Sequence, residues 1–249
     1  MKKQRLDERL VAEGFFPTRT KAQAAIMAGE VFVGGRAVLK AGAPVAPDSA
    51  IEIRSRRPAY VSRGGLKLES AIEALSLDVS GRVCLDVGAS TGGFTDCLLS
   101  RGAAFVHAID VGRAQIDPKI KSDPRVHSRE GLHAARLEAA MFEPAPDLAT
   151  IDVSFISLTQ VLPAVVRCLQ RPFEILALVK PQFEVGPKLA PKGVVRRPEA
   201  RLAAVAKVRG VLAGLSLEEA ALFECPVHGP KGNVEYFLHL RNNSETGSG

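Results

Sequence analysis

Apolar positions along the chain fall into two kinds of run. Val83 to Val87, Phe105 to Ile109, Leu148 to Val153 and Ile175 to Val179 are short and nearly continuous, the pattern of strands buried on both faces of a parallel sheet. Leu66 to Leu75 and Leu202 to Leu215 instead repeat apolar residues at helical spacing. A helix is expected to start near Gly93 to Thr95, and a last strand to run from Val234 to Leu240, beginning around Glu235. Strands alternating with helices imply an α/β fold with a doubly wound, mainly parallel sheet, in which ligands sit at the carboxyl ends of the strands.

Residues 1–55 follow a different pattern. Leu6, Leu10 and Val11 suit a helix ending near Gly14, and Thr18 reads as the cap of a second helix through Ala22, Ala25 and Ile26 to Gly29. Glu30 to Val33 reads as a short strand before the Gly34-Gly35 turn, with further small strands around Val38 and from Ala50 to Ile53. This is a small α+β unit. Residues 56–65, rich in Arg, Pro and Gly, read as a linker, residues 66–241 as the large domain, and the polar residues 242–249 as a disordered tail.

The sheet's first strand leads into Asp86-Val-Gly-Ala-Ser-Thr-Gly-Gly93. Glycines after a buried strand let the backbone turn tightly beneath a ligand, and Asp86 is expected to sit beside that turn. The spacing matches neither a dinucleotide fingerprint nor a Walker loop. Asp110 closes the second strand 24 residues after Asp86, placed to accept hydrogen bonds from both ribose hydroxyls of an adenosine. Such a pocket serves NAD and S-adenosylmethionine alike, so a dehydrogenase stays open at this point.

Charged residues also interrupt apolar strands. Asp152 and Lys180 stand at carboxyl ends, and Glu235 reaches the same edge if the last strand runs antiparallel. Lys67, expected in the first turn of the preceding helix, opposes the helix dipole there, which makes it a poor structural choice and a better functional one. Two lysines and two acids meeting at this edge would offset one another's cost of burial, either as a structural network or as chemistry. A lysine acting as a base must fall from a pKa of about 10.4, which a neighbouring lysine and partial desolvation promote.

Composition narrows the classes. The chain has 249 residues, 46% of them hydrophobic, enough for a real core. No apolar run approaches the roughly 20 residues of a membrane span, and the start lacks a signal-peptide segment, so the chain is expected to be cytoplasmic. Cys84, Cys97, Cys168 and Cys225 show no metal-ligand or disulfide spacing; reduced core thiols and no metal are expected. Residues 1–60 carry eleven Lys or Arg against six Asp or Glu, a net +5 of the chain's +6. A basic lobe on a nearly neutral remainder suits contacts with nucleic-acid phosphates.

Several motifs carry family resemblances. Arg5-Leu-Asp-x-x-Leu10, Thr18-Arg19, Ala22-x-x-x-Ile26 and Gly29-Glu-Val-x-Val-x-Gly35 resemble the S4 RNA-binding domain. That resemblance implies RNA on the face carrying Arg5, Arg19 and Lys21; Arg56, Arg57 and Arg63 extend the basic set. Aromatics are scarce there, so backbone and shape readout should dominate. DVGASTGGFTD, SRGGLKL, IDVSFISL, LVKPQFEVG and GNVEYF are similar to the TlyA family of ribosomal-RNA 2'-O-methyltransferases, also labelled hemolysins, over residues 4–240. The large domain resembles the FtsJ group, which implies a Rossmann-like methyltransferase sheet and a Lys-Asp-Lys-Glu tetrad at Lys67, Asp152, Lys180 and Glu235.

The resemblance further implies S-adenosylmethionine as cofactor, held by Asp86, Gly88, Ala89, Ser90, Thr91, Gly92, Gly93, Asp110 and Glu130, and ribosomal RNA as substrate. Lys180 becomes the expected general base, with no metal and no membrane partner. One departure stands out: the family's E-x-x-N-x-R is Glu130-Gly-Leu-His133-Ala-Ala135 here. Two other classes are weighed. A silent RNA-binding assembly factor would tolerate loss of the tetrad, which is intact. A membrane-lytic protein would need an amphipathic or spanning apolar element.

Overall fold

The computed structural model describes residues 4–27, 29–53, 59–229 and 231–242, and the chain divides into two compact units, Met1–Ala59 and Tyr60–Gly249. In the first unit β1 (Gln4–Arg5) leads into α1 (Leu6–Ala12), followed by α2 (Arg19–Met27), β2 (Val31–Val33), β3 (Arg36–Ala37), β4 (Pro44–Val45) and β5 (Ile51–Ile53). β2 is the middle strand of an antiparallel sheet ordered β3-β2-β5, and β1 pairs with β4. Leu6, Leu10, Ala22, Ala25, Ile26, Val31 and Val45 close over one another as its core. Thr18 accepts from the Lys21 amide at the start of α2, the capping role its position implies.

The second unit opens with α3 (Arg63–Leu75) and alternates through β6 (Val83–Val87), α4 (Gly93–Ser100), β7 (Phe105–Asp110), α5 (Pro118–Lys121), β8 (Val126–Glu130) and β9 (Leu148–Ile151). It continues with α6 (Leu158–Val166), β10 (Glu174–Val179), α7 (Pro181–Glu184), α8 (Pro198–Arg209), β11 (Leu217–Glu224) and β12 (Tyr236–Asn242). These form a seven-stranded sheet in the order β11-β12-β10-β9-β6-β7-β8; neighbours from β10 to β8 are parallel, while β12 and β11 join antiparallel. Side chains alternate between its faces. Leu85, Val87, Ile109, Ile151, Ile175 and Val179 pack with α6 and α8, whereas Cys84, Val106, Leu148, Leu176 and Phe237 pack with α3 and α4. The sheet is therefore doubly wound, and all four cysteines are free and buried.

Several element boundaries differ from those expected. α3 starts at Arg63 rather than Leu66, so Lys67 lies in its second turn, not its first, where the helix dipole opposes a lysine less. The reason is close packing of glycines. A Cβ on Gly65 would lie 2.2 Å from Tyr60 Cγ, and one on Gly93 would lie 2.1 Å from Ser62 Oγ, so the Ser62-Arg-Gly-Gly65 stretch is the tight start of a helix against α4. β9 stops at Ile151, leaving Asp152 and Val153 in the following loop. α8 runs from Pro198 to Arg209 rather than from Leu202 to Leu215; a proline suits a first helical position, and Gly210 follows the end. β8 and β11, both rich in charged residues, are further strands at the two edges of the sheet.

Candidate active site

The carboxyl ends of β6, β9 and β10 open on a cavity of about 660 Å³, lined among others by Lys67, Asp152, Lys180 and Glu235. All four tetrad positions thus meet in one place. Lys67 Nζ donates to Glu235 Oε2 at 2.5 Å, and both side chains are buried. Lys180 Nζ lies 2.6 Å from Asp152 Oδ1 and donates to Ser154 Oγ at 3.1 Å. Removing one partner of the buried Lys67–Glu235 pair would typically cost about 3–5 kcal/mol, whereas the Lys180–Asp152 pair is only partly buried and is worth less. Glu235 also accepts from Gln182 Nε2 at 3.4 Å, and Gly229 passes so close that a Cβ there would stand 2.6 Å from Glu235 Oε1.

The glycine loop forms one wall. Gly88, Ala89, Ser90, Thr91 and Gly93 line the cavity. Gly88 has φ 90°, and a Cβ on it would lie 2.6 Å from the Asp152 carbonyl oxygen, so only glycine lets this loop touch the loop after β9. Gly92, φ 93°, packs over Ile120 and does not line the cavity. A second cavity of about 420 Å³ shares Gly88, Ser90, Asp152, Ser154 and Phe155 with the first and extends to Asp110. Asp110 accepts from the amides of Ser90 at 2.8 Å and Gly112 at 2.6 Å. A carboxylate offers about four acceptor sites, so it retains capacity toward that cavity.

Two acids expected at the cofactor line neither cavity. Asp86 is wholly buried beneath the loop, where it accepts from Thr95 Oγ1 at 2.6 Å and Thr150 Oγ1 at 3.1 Å. Burial pushes its carboxyl up to about 7, against the opposing pull of those two hydroxyls. It therefore braces β6, β9 and α4. Glu130 accepts from the Gln115 amide at 2.8 Å, and that hydrogen bond, with others from the same backbone turn, lowers its pKa. Its carboxylate shapes the loop beside Asp110. His133, one of the two departures, does line the second cavity, and its Nδ1 accepts from the Ala135 amide at 3.3 Å.

The basic residues expected to meet RNA divide between the units. In the first, Arg5 and Arg19 converge on the fully buried Asp7, donating to it at 3.0–3.1 Å and 2.9 Å, while Gln23 donates at 2.8 Å. These donors, Arg5 foremost, hold the Asp7 carboxyl far below its usual range. Both guanidiniums remain about half exposed, so Asp7 fixes them on one face without covering them. Lys21 is exposed on α2. In the second unit Arg63 lines the large cavity and donates to the His228 carbonyl at 3.3 Å. Arg56 and Arg57 lie outside the described residues.

Two further site residues, Phe155 and Asn233, lie inside the IDVSFISL and GNVEYF motifs, where the resemblance assigned them no role. Phe155 is 90% exposed with φ 64°, lines both cavities and packs against Phe183, ring centroids 5.0 Å apart. Buried Asn233 accepts from the Val195 amide at 3.0 Å and donates to the Gly193 carbonyl at 2.8 Å, fixing the loop beside Glu235. Among the described residues no group of His, Cys, Asp and Glu is arranged to hold a metal, and no helix is long and apolar enough to cross a membrane.

Comparison with known proteins agrees with this architecture. Residues 60–242 match the FtsJ-like methyltransferase model and residues 4–51 the S4 domain model. The chain is 43% identical over 243 residues to the 16S/23S rRNA (cytidine-2'-O)-methyltransferase TlyA of Mycobacterium tuberculosis, covering 97% of this chain and 91% of that one. It is 38% identical to Hemolysin A of Brachyspira hyodysenteriae, covering 95% and 99% respectively. A solved structure named for a hemolysin, from Streptococcus thermophilus, superposes with a TM-score of 0.74 at 37% identity over 98% of this chain and 90% of that one. With both domain models matched in order and its full sheet accounted for, the chain belongs to the TlyA family of FtsJ-like methyltransferases.

Proposed function

We propose that this chain transfers a methyl group from S-adenosylmethionine to the 2'-hydroxyl of a cytidine in ribosomal RNA. The observation that carries this reading is the convergence of Lys67–Glu235 and Lys180–Asp152 in one cavity walled by the glycine loop. The residues present suit the cofactor: Asp110 has free acceptor capacity at the second cavity, and Gly88, which lines both cavities, adds no side chain to either. When bound, S-adenosylmethionine supplies an activated methyl on a sulfonium, so the chain needs no further electrophile.

What remains for the protein is to place the ribose oxygen and manage its proton. Lys180 is held by Asp152 and Ser154 at the cavity wall, and as neutral amine it takes the hydroxyl proton while the oxygen attacks in line. Lys67 and Glu235 form the opposite pair and orient the hydroxyl. Most of the acceleration then comes from positioning and electrostatics. The exposed ring of Phe155 offers a stacking face for a base at the cavity mouth. Arg5, Arg19 and Lys21 in the S4 unit, with Arg63 beside the cavity, supply cations for the RNA backbone.

A second reading has its own support. Lys180 Nζ, fixed 2.6 Å from Asp152 Oδ1 and by Ser154 Oγ at the cavity wall, also stands where a cation would anchor the developing oxyanion. Mapping 2'-O-methyl groups on ribosomal RNA from cells with and without the gene tests the function itself. One or more cytidines should lose their methyl group; an unchanged map would refute the substrate and favour a silent assembly role.

A further inference from the structure

Asp152 and Lys180 come from different loops, one after β9 and one after β10, yet their pairing needs those loops held in register. Glu184, four residues after Lys180, is 6% exposed and closes α7. Its Oε2 accepts from Ser157 Oγ at 2.5 Å and its Oε1 from the Leu158 amide at 2.7 Å, where the loop after β9 enters α6. From α8, Lys207 Nζ donates to the Glu184 carbonyl at 2.8 Å and lies 3.3 Å from its carboxylate. One buried carboxylate thus joins the exits of both strands to a third element, at a helix start where negative charge is favoured.

We propose that Glu184 is a positioning residue for methyl transfer: by tying Ser157 and Leu158 to the Lys180 loop, it sets the Asp152–Lys180 contact. This rests on the reading of Lys180 as a group that acts on the ribose hydroxyl. Glu184 itself does not line the tetrad cavity, so its effect must pass through the loops. Glutamine at this position can still accept from the Leu158 amide and donate to Ser157 Oγ; it gives up the ion pair with Lys207, whose half-exposed ammonium keeps the Glu184 carbonyl, so Glu184→Gln is the conservative variant, whereas Glu184→Ala leaves buried donors unpaired.

Single-turnover methylation of ribosomal RNA, normalised to the concentration of S-adenosylmethionine-binding sites, tests the proposal in the full chain. Glu184→Ala is expected to lower the rate about 10- to 100-fold, as a displacement near 1 Å does, with cofactor and RNA dissociation constants within about 2-fold of wild type. Glu184→Gln should recover to within about 3-fold of wild type. If the alanine variant does not fold, Ser157→Ala decides, with an expected loss of about 3- to 10-fold. A rate per binding site within 2-fold of wild type in the deciding alanine variant overturns the proposal, because a merely structural residue changes only the number of sites. Lys180→Ala is run beside these variants: if it retains full rate, the assignment of Lys180 fails, whereas a dead Lys180→Ala with an active Glu184→Ala sinks the positioning role alone.

Discussion

Gly88→Ala is the substitution whose consequence the structure specifies most closely. At φ 90° an alanine pays about 1–2 kcal/mol for a left-handed backbone before any contact is counted. Its Cβ would also stand 2.6 Å from the Asp152 carbonyl oxygen and 2.9 Å from the carbonyl carbon, against an ordinary contact of 3.4 Å or more. Both atoms are backbone, so no side chain can swing aside. The loop carrying Asp152 must retreat by about 0.8 Å, the difference between the two distances, and the 2.6 Å contact with Lys180 moves with it. A displacement of that size at a reacting centre costs on the order of 100-fold in rate. Single-turnover kinetics and calorimetric titration of the cofactor, each on protein checked for folding, would measure it. We expect a rate loss near two orders of magnitude and weaker cofactor binding. A Gly88→Ala enzyme within 3-fold of wild type in both would refute the claim that this glycine sets the geometry of the site.

Two further outcomes follow from the acids beneath the loop. Asp110→Ala should weaken S-adenosylmethionine binding by about 1–3 kcal/mol while leaving RNA affinity nearly unchanged; calorimetry showing equal cofactor affinity would remove Asp110 from the pocket. Asp86, with its carboxyl raised from 3.8 to about 7, binds its proton in the folded state where the unfolded chain has lost it. Its contribution to stability is therefore full below about pH 4 and is lost as pH rises to about 7, by up to about 4 kcal/mol. Denaturant unfolding from pH 4 to 8 should show Asp86→Asn gaining stability relative to wild type as pH rises, and a constant difference would contradict the buried-carboxyl account.

The strands that carry the site were legible because burial on both faces leaves continuous apolar runs, as in Leu148–Ile151 and Glu174–Val179. The acid or lysine that ends each run was legible for the same reason, since a charge there must have a purpose or a partner. Edge strands hide better. β11 carries Glu218, Glu219 and Glu224 and is fixed by pairing with β12, through a register shift between Glu219 and Ala221 that no local pattern announces. The glycine pair at Gly64-Gly65 resembles a linker until its neighbours are known; Tyr60 and α4 turn it into a helix start. Asp86 illustrates the remaining limit: a sequence gives its place at the end of a strand, but which side of the sheet its oxygens face depends on Thr95 and Thr150.

The central claim is that Lys180 takes the proton of the ribose hydroxyl, and Lys180→Arg tests it most directly. Arginine preserves the positive charge, but its guanidinium stays protonated and cannot accept that proton. Single-turnover methylation of ribosomal RNA from pH 6 to 9 should show Lys180→Arg nearly as damaged as Lys180→Ala, with losses on the order of 100- to 10,000-fold in rate and both binding steps largely spared. A Lys180→Arg enzyme retaining near wild-type rates across that range would show that Lys180 is an electrostatic anchor and that the base lies elsewhere.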